Sequence, residues 1–297
     1  MQEPEQRPAR LSVGVIGPGR VGSALGPALE HAGHRVTAVT AVSAESKERA
    51  ARLLPHAQLR EATAVVETCD LVLLTVPDDA LAPLVNGLAE IGAPVRGTLV
   101  AHTSGAHGYG ILDPLIMAGG LPLALHPVMT FTGRPEDLQR LANCTFGVTT
   151  PAELRPVGEA LVVEMGAEPV WVAEEKRGLY HAALTSGANH LVTLVAQSAE
   201  LLRTAGVADP GRMLGPLLGA ALDNALRLGI DGLSGPVVRG DADTVVGHVA
   251  ELRAHAPDTV ASYLAMARLT ADRALAAGLL DARDAERLLD ALGTTQP

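Results

Sequence analysis

The chain has 297 residues and a formal net charge of −10, from 23 basic and 33 acidic side chains. That balance, with no dense Lys/Arg run, argues against a nucleic-acid partner, and no uninterrupted apolar run reaches the ~18 residues of a membrane span. Hydrophobic residues are 47% of the chain but aromatic ones only 2%, so the core must be built from Ala, Val and Leu, which suits helices around a parallel sheet.

The first ten residues, "MQEPEQRPAR", are polar and Pro-containing and are expected to form a tail, not a secretory signal. "LSVGVI" (11–16) follows as a short apolar, partly β-branched stretch that predicts a buried strand. Next, Gly17, Gly19 and Gly22 stand at the spacing G-x-G-x-x-G, and Ala24, Leu25, Ala28, Leu29 and Ala32 recur at helical spacing up to Gly33. "HRVTAVTAVS" then resumes as a second strand. The spacing alone is weak in a chain with 31 glycines; the strand–turn–helix–strand context makes it a dinucleotide cradle. Gly17 would permit the tight turn, Gly19 the close approach of a pyrophosphate, and Gly22 close packing of helix on strand. The helix N-terminus would favour the phosphates, with Arg20 and Val21 of the same turn in contact with the cofactor.

The end of the second strand discriminates NADP from NAD. Ser43, Ser46 and Lys47, with Arg20, could hold a 2′-phosphate, whereas Glu45 could accept a ribose hydroxyl. We expect NADP, with NAD as the alternative; the same residues could also simply start a solvated helix. "CDLVLLTVP" (69–77) reads as a buried strand carrying Val76 and Pro77 to the cofactor, followed by a helix or turn over 78–92. "RGTLVAHTSGAHG" (96–108) is a strand that ends in a small polar loop. Thr103 and Ser104 there could contact the nicotinamide amide or a substrate carboxylate, or form a plain turn. "LPLALHPVMTF" (121–131) is a further strand, in which Pro127 fixes the backbone beside His126. His126 is either a proton donor or hydrogen-bonded structure. Two more strands, "CTFGVTT" and "EPVWVAEE", enclose a helical stretch over 151–167. This alternation predicts a doubly wound α/β sheet of Rossmann type, with its ligand outside the carboxyl ends of the strands.

From about residue 175 the strand pattern stops. A long helical stretch, with a break allowed at Ser186–Gly187, is followed by others starting near Asp209 and Asp258. The predicted division is a dinucleotide-binding domain over 1–174 and an all-helical substrate and dimerisation domain over 175–297. His181, Thr185 and Asn189 lie four apart and share one helix face. His181 could protonate a developing alkoxide while Asn189 holds substrate oxygens, or the face could be a polar contact at a dimer interface. Ser234 and Arg239, on an interhelical loop, suit a carboxylate; the alternative is a turn in which Asp241 caps the next helix. Cys69 and Cys144 have no metal-type spacing, so no metal is expected, and a reducing cytoplasm is the expected compartment.

Taken together, "GPGRVGSAL", "LVLLTVPDDALAPLV", "AHTSGAHG", "LALHPVMTF", "LYHAALTSGANHLVTLV" and "LSGPVVRGDADTV" resemble an NADP-binding Rossmann-like family with a helical C-terminal domain of unknown function, over roughly residues 11–275. That family is similar to ketopantoate reductases, pyrroline-5-carboxylate reductases and the wider 6-phosphogluconate dehydrogenase group. The resemblance implies an NADPH-dependent reductase of a small 2-oxo acid, with 2-ketopantoate the first expected substrate; the alanine- and leucine-rich helical half is expected to bury a homodimer face. Asn189 fits the last of a Lys and two Asn on the first helix of ketopantoate reductases, but His181 and Thr185 replace the other two. The proton donor is therefore expected to be His181, or else His126. The alternatives are an imine reductase of pyrroline-5-carboxylate type and a non-catalytic NADP-binding sensor.

Overall fold

The computed structural model describes residues 10–293; residues 1–9 of the expected tail lie outside the described residues. The chain divides into two compact units, 1–186 and 187–297. In the first, β1 (Ser12–Ile16), α1 (Gly22–His31), β2 (Arg35–Thr40), α2 (Ala44–Leu53), β3 (Gln58–Leu59), α3 (Ala62–Thr68), β4 (Leu71–Leu74) and α4 (Asp78–Glu90) follow in order. Then come β5 (Leu99–His102), α5 (Asp113–Met117), β6 (Leu121–Pro127), α6 (Glu136–Leu141), β7 (Thr145–Thr149), α7 (Arg155–Glu164) and β8 (Glu168–Trp171). They build one eight-stranded sheet of order β3-β2-β1-β4-β5-β6-β7-β8.

Side chains alternate across the pleat, and both faces are covered. Leu71 and Leu73 of β4 pack with Leu25 and Leu29 of α1, Leu141 of α6 and Leu161 of α7. Val72 and Leu74 of the same strand pack with Val65 of α3, Val85 and Leu88 of α4 and Leu115 of α5. This is the expected doubly wound arrangement. One pair departs from it: β6 and β7 are antiparallel, with His126 opposite Gly147. Their connection carries only the short α6, so the chain doubles back along the same edge instead of crossing over.

Three local expectations change. β2 stops at Thr40, and Ser43 is the N-cap of α2, its hydroxyl accepting from the Ser46 N–H at 3.1 Å. α8 (Arg177–Thr204) runs unbroken through Ser186–Gly187, because helical N–H···O=C bonding tolerates one glycine at modest cost. Asp258 lies inside a 3-10 turn, Pro257–Thr259, one turn ahead of the α-helix it was expected to start. The helical half begins where the sequence turned helical, at the 3-10 turn Glu174–Lys176, and the division into units falls farther along, within α8.

The second unit contains the rest of α8, then α9 (Pro210–Leu228), α10 (Ala242–His255), α11 (Val260–Ala276) and α12 (Ala282–Gly293). Its core, with Val245, Val249, Leu264, Ala271, Leu288 and Leu292, comes from the last three helices. α9 buries only Pro210 and Leu214, while Leu217 and Leu226 are 65% and 79% exposed. Beside it, an apolar groove of about 510 Å³ runs between α8 and α11, lined by Leu191, Leu194, Leu201, Tyr263 and Met266 among others.

Candidate functional site

The three glycines of the cradle differ in what surrounds them. Gly17 has φ +86°, a conformation that L side chains rarely adopt. A Cβ on Gly22 would lie 2.3 Å from Thr75 Oγ1 and 3.0 Å from Val15 Cγ1, so this glycine seats α1 against β1 and the end of β4. A Cβ on Gly19 would meet nothing nearer than 3.9 Å. Protein contacts explain Gly17 and Gly22; only the open side of the turn explains Gly19. No side chain caps α1, and the N–H groups of Ser23, Ala24 and Leu25 bond to the Gly19 and Val21 carbonyls, so an anion would meet the turn just ahead of them, at Arg20–Gly22. Among the described residues the one buried side-chain polar atom without a partner is Thr40 Oγ1. It stands at the end of β2, where the Thr40 carbonyl receives the Gly17 N–H at 3.0 Å. The residues present therefore fit a dinucleotide phosphate.

Around the end of β2, both serine hydroxyls serve the capping turn: Ser43 Oγ donates to Ser46 Oγ at 3.0 Å and Ser46 Oγ to the Ser43 carbonyl at 2.8 Å. Lys47 is exposed. Arg49, one turn on in α2, is the residue that sequence reading missed. It donates to the Pro18 carbonyl at 3.4 Å and pairs with Glu45. A Cβ on Gly133 would meet Arg20 Cγ at 3.3 Å and Arg49 Nε at 3.8 Å, so both guanidinium-bearing chains border the same loop. That loop is fastened by buried Asp137, which accepts from the N–H groups of Thr132 and Gly133 at 2.8 and 2.7 Å. Glu45, the possible ribose acid, is thus engaged by a cation.

The parallel register aligns Ile16, Leu74, His102 and Ala124 across β1, β4, β5 and β6. The segments just beyond them lie along one edge: the cradle, then Val76 and Pro77, then Thr103 and Ser104, then His126. With strands ~4.8 Å apart, the cradle and the Thr103–Ser104 loop are ~10 Å apart, within the reach of one dinucleotide. His102 itself is structural. It is 0% exposed, its Nδ1 accepts from the Ser104 N–H at 3.2 Å and its Nε2 donates to the Gly108 carbonyl at 2.8 Å. Burial above all pushes its pKa down to about 4. Ser104 is buried, its Oγ accepting from the His107 N–H at 3.3 Å.

Beyond Ser104, Gly105 is wedged between two imidazoles. A Cβ there would lie 2.6 Å from His181 Cδ2 and 2.9 Å from His126 Nε2. The two rings meet edge to face with centroids 6.1 Å apart. His126 Nδ1 lies 2.8 Å from Tyr180 Oη; burial above all raises the Tyr180 pKa, against lowering by the Arg177 charge and the nearby Gly147 N–H. Gly147 has to be glycine for this, since a Cβ would sit 2.2 Å from Tyr180 Oη. Under the pair lies Arg177, 1% exposed, whose Nε, Nη1 and Nη2 donate to the carbonyls of His107, Gly147 and Ser104 at 2.9, 3.1 and 2.6 Å. Glu174, just ahead of α8, accepts from the N–H groups of Tyr109 and Gly110 at 2.9 and 3.0 Å. Glu174 and Arg177 together clamp the loop after β5. Burial, then the charges of Arg177 and His181, push the His126 pKa down to about 4, against a smaller upward pull from Asp78.

Residues 1–127 match the family model of a Rossmann-like domain, and residues 144–270 match that of a domain of unknown function, DUF2520. The chain joins a Rossmann-like domain to a DUF2520 domain. No curated protein matches it. Among solved structures it is similar to a protein of Bacteroides fragilis described as an NADP oxidoreductase, at 22% identity over 89% of this chain and 98% of that chain, with TM-score 0.71. An imine reductase from Myxococcus stipitatus in complex with NADP+ matches at 19% identity over 94% and 99%, with TM-score 0.62. A 1-pyrroline-5-carboxylate reductase from Streptococcus pyogenes matches at 17% identity over 89% and 98%, with TM-score 0.59. These likenesses establish a shared fold.

The histidine cluster draws on both matched regions: His126 and the Ser104–Gly105 loop from the Rossmann-like part, Gly147, Arg177, Tyr180 and His181 from the DUF2520 part. The other predicted residues of the DUF2520 part belong to the second unit. Asn189 is exposed on α8, and Ser234 and Arg239 are exposed on the loop before α10. Asp241 is the N-cap of α10, accepting from the Thr244 N–H at 3.1 Å, so the loop does form the capping turn weighed from sequence. Arg177 and Tyr180 were missed there. The signal was a charged residue opening an apolar helix, which reads equally well as a solvated end. No helix among the described residues is long and apolar enough to cross a membrane, and no group of His, Cys, Asp or Glu among them is arranged to hold a metal.

Proposed function

We propose that the protein is an NADPH-dependent reductase of a small compound containing a C=O or C=N bond and a carboxylate. The observation that carries this reading is the shared sheet edge, with an open glycine cradle at β1 and two imidazoles converging on Gly105 past β5 and β6. Gly17, Gly19, Arg20, Val21 and Gly22 would hold the pyrophosphate. Arg49, Lys47, Ser43 and Ser46 would surround a 2′-phosphate, and the pairing of Glu45 with Arg49 favours NADP over NAD. Val76, Pro77, Thr103 and Ser104 would line the path to the nicotinamide. The bound cofactor supplies a hydride. The chain supplies hydrogen bonds and a proton to the substrate heteroatom from the His126–His181 pair. Asn189, Ser234 and Arg239 are assigned to substrate carboxylate and oxygen binding. A second copy of the chain is proposed to cover the exposed apolar face of α9 and the groove between α8 and α11.

Two substrate classes follow. A 2-oxo acid, 2-ketopantoate first, is the reading from sequence resemblance. A cyclic imine such as pyrroline-5-carboxylate is favoured by the likeness to an imine reductase and a pyrroline-5-carboxylate reductase. NADPH oxidation by the purified protein with each compound separates them, and His181→Ala and His126→Ala should each lower turnover at least tenfold. Binding of NADPH without turnover of any 2-oxo acid or imine would instead identify a sensor.

A further inference from the structure

The two histidines beside Gly105 occupy unlike surroundings. The Gly147 N–H faces the Tyr180 oxygen and disfavours a second donor there, and we assign the hydroxyl proton to His126 Nδ1, 2.8 Å away. With Nδ1 accepting, the neutral ring carries its proton on Nε2. The groups facing His126 are Arg177, Tyr180 and His181 on α8 and Asp78 at the start of α4. Arg177 is a fixed cation fully enclosed by backbone carbonyls, and a second positive charge beside it is disfavoured. Because Thr40 Oγ1 alone is both buried and unpartnered among the described residues, the Nε2 of His126, which has no bond there, reaches accessible space beside Gly105.

We propose that Arg177 and Tyr180 are positioning residues that hold His126 as a neutral imidazole with its Nε2–H presented beside Gly105, so that His126 donates a hydrogen bond to the substrate while His181 transfers the proton. The catalytic half of this assignment rests on the reductase reading. A neutral imidazole cannot give up Nε2–H without becoming a strongly basic imidazolate, so His126 stabilises charge and does not act as the acid. As hydride from NADPH joins the carbonyl carbon, the C=O π pair moves to oxygen, and protonated His181 gives that oxygen its proton. His181 is left neutral and is reprotonated by solvent; the substrate is reduced and NADPH oxidised.

The test is long-range ¹H–¹⁵N NMR of the histidines in the full chain, between about pH 5.5 and 7.5, where an ordinary imidazole titrates. Wild-type His126 should show protonated Nε2 and bare Nδ1 and remain neutral at the lower end. Tyr180→Phe should lose the tautomer preference, and Arg177→Gln, which removes the neighbouring positive charge, should move the His126 titration upward. Tyr180→Phe should also lower kcat about tenfold, the worth of one hydrogen bond, with NADPH affinity unchanged. If Arg177→Gln fails to fold, Tyr180→Phe carries the test alone. A wild-type His126 that is protonated at about pH 5.5, or that carries its proton on Nδ1, overturns the proposal, as does an unaltered tautomer in Tyr180→Phe. The expected spectra without turnover of any substrate would remove the reductase reading and leave the positioning intact.

Discussion

Single glycines and histidines carry testable weight. Gly22→Val places a side chain where Thr75 and Val15 already stand, and should cost about 1–3 kcal/mol of stability. Gly19→Val should leave the melting temperature close to wild type and lower NADPH affinity at least tenfold, because only a ligand approaches that side. Thermal unfolding and NADPH fluorescence titration check the pair; an equal loss of stability in both would contradict the assignment. His102 predicts a pH dependence of folding. Its folded pKa of about 4 lies below the ordinary value of 6.5, so the unfolded chain binds more protons between them. The stabilisation is complete above about pH 6.5 and is lost as pH falls toward 4, on the order of 3 kcal/mol. Urea unfolding at several pH values should show this slope, and His102→Gln should flatten it. The turn role of Gly17 and the packing role of Gly22 were readable from sequence, since each needs only the strand–turn–helix context. The role of Arg177 was not, because its carbonyl partners lie 30 to 73 residues away in the chain.

Strands and helices set which of these residues can act together. The alternation of apolar strands and helical stretches correctly gave a doubly wound sheet, because both periodicities are local. The reversal between β6 and β7 was not readable, since a connection of that length suits either direction. It matters for the site: the antiparallel register sets Gly147 opposite His126, which lets Tyr180 reach both. α2 makes a second case. Ser43 and Ser46 were recognised, yet they are occupied with capping the helix, whereas Arg49 faces the cradle loop from the next turn. Arg49→Gln should weaken NADPH binding about tenfold and NADH binding much less, because a charge-assisted phosphate contact contributes about 1.5–3 kcal/mol. Equal losses for the two cofactors would assign Arg49 to the pyrophosphate or to loop structure.

The whole chain has two faces to explain, the sheet edge and the bare apolar side of the helical half. An α-helix with Leu217 and Leu226 largely exposed is a candidate interface. If a second copy covers it, Leu217→Asp with Leu226→Asp should convert a dimer to a monomer in sedimentation, with the far-UV spectrum retained; a wild-type monomer would contradict that assignment. Asn189 was visible as a polar residue on an apolar helix, and Ser234 and Arg239 as polar residues on the loop between two helices, but spacing alone left open whether they serve a substrate. The central claim is that a dinucleotide on the β1 cradle delivers reducing equivalents beside Gly105. Its most direct test is the rate of NADPH oxidation by the purified protein with 2-ketopantoate and, separately, with pyrroline-5-carboxylate. The account predicts substrate-dependent oxidation with at least one of them or a close 2-oxo acid or imine, at least tenfold slower at subsaturating NADPH in Gly19→Val and much reduced by His181→Ala. Tight NADPH binding with no oxidation across that whole class would contradict it.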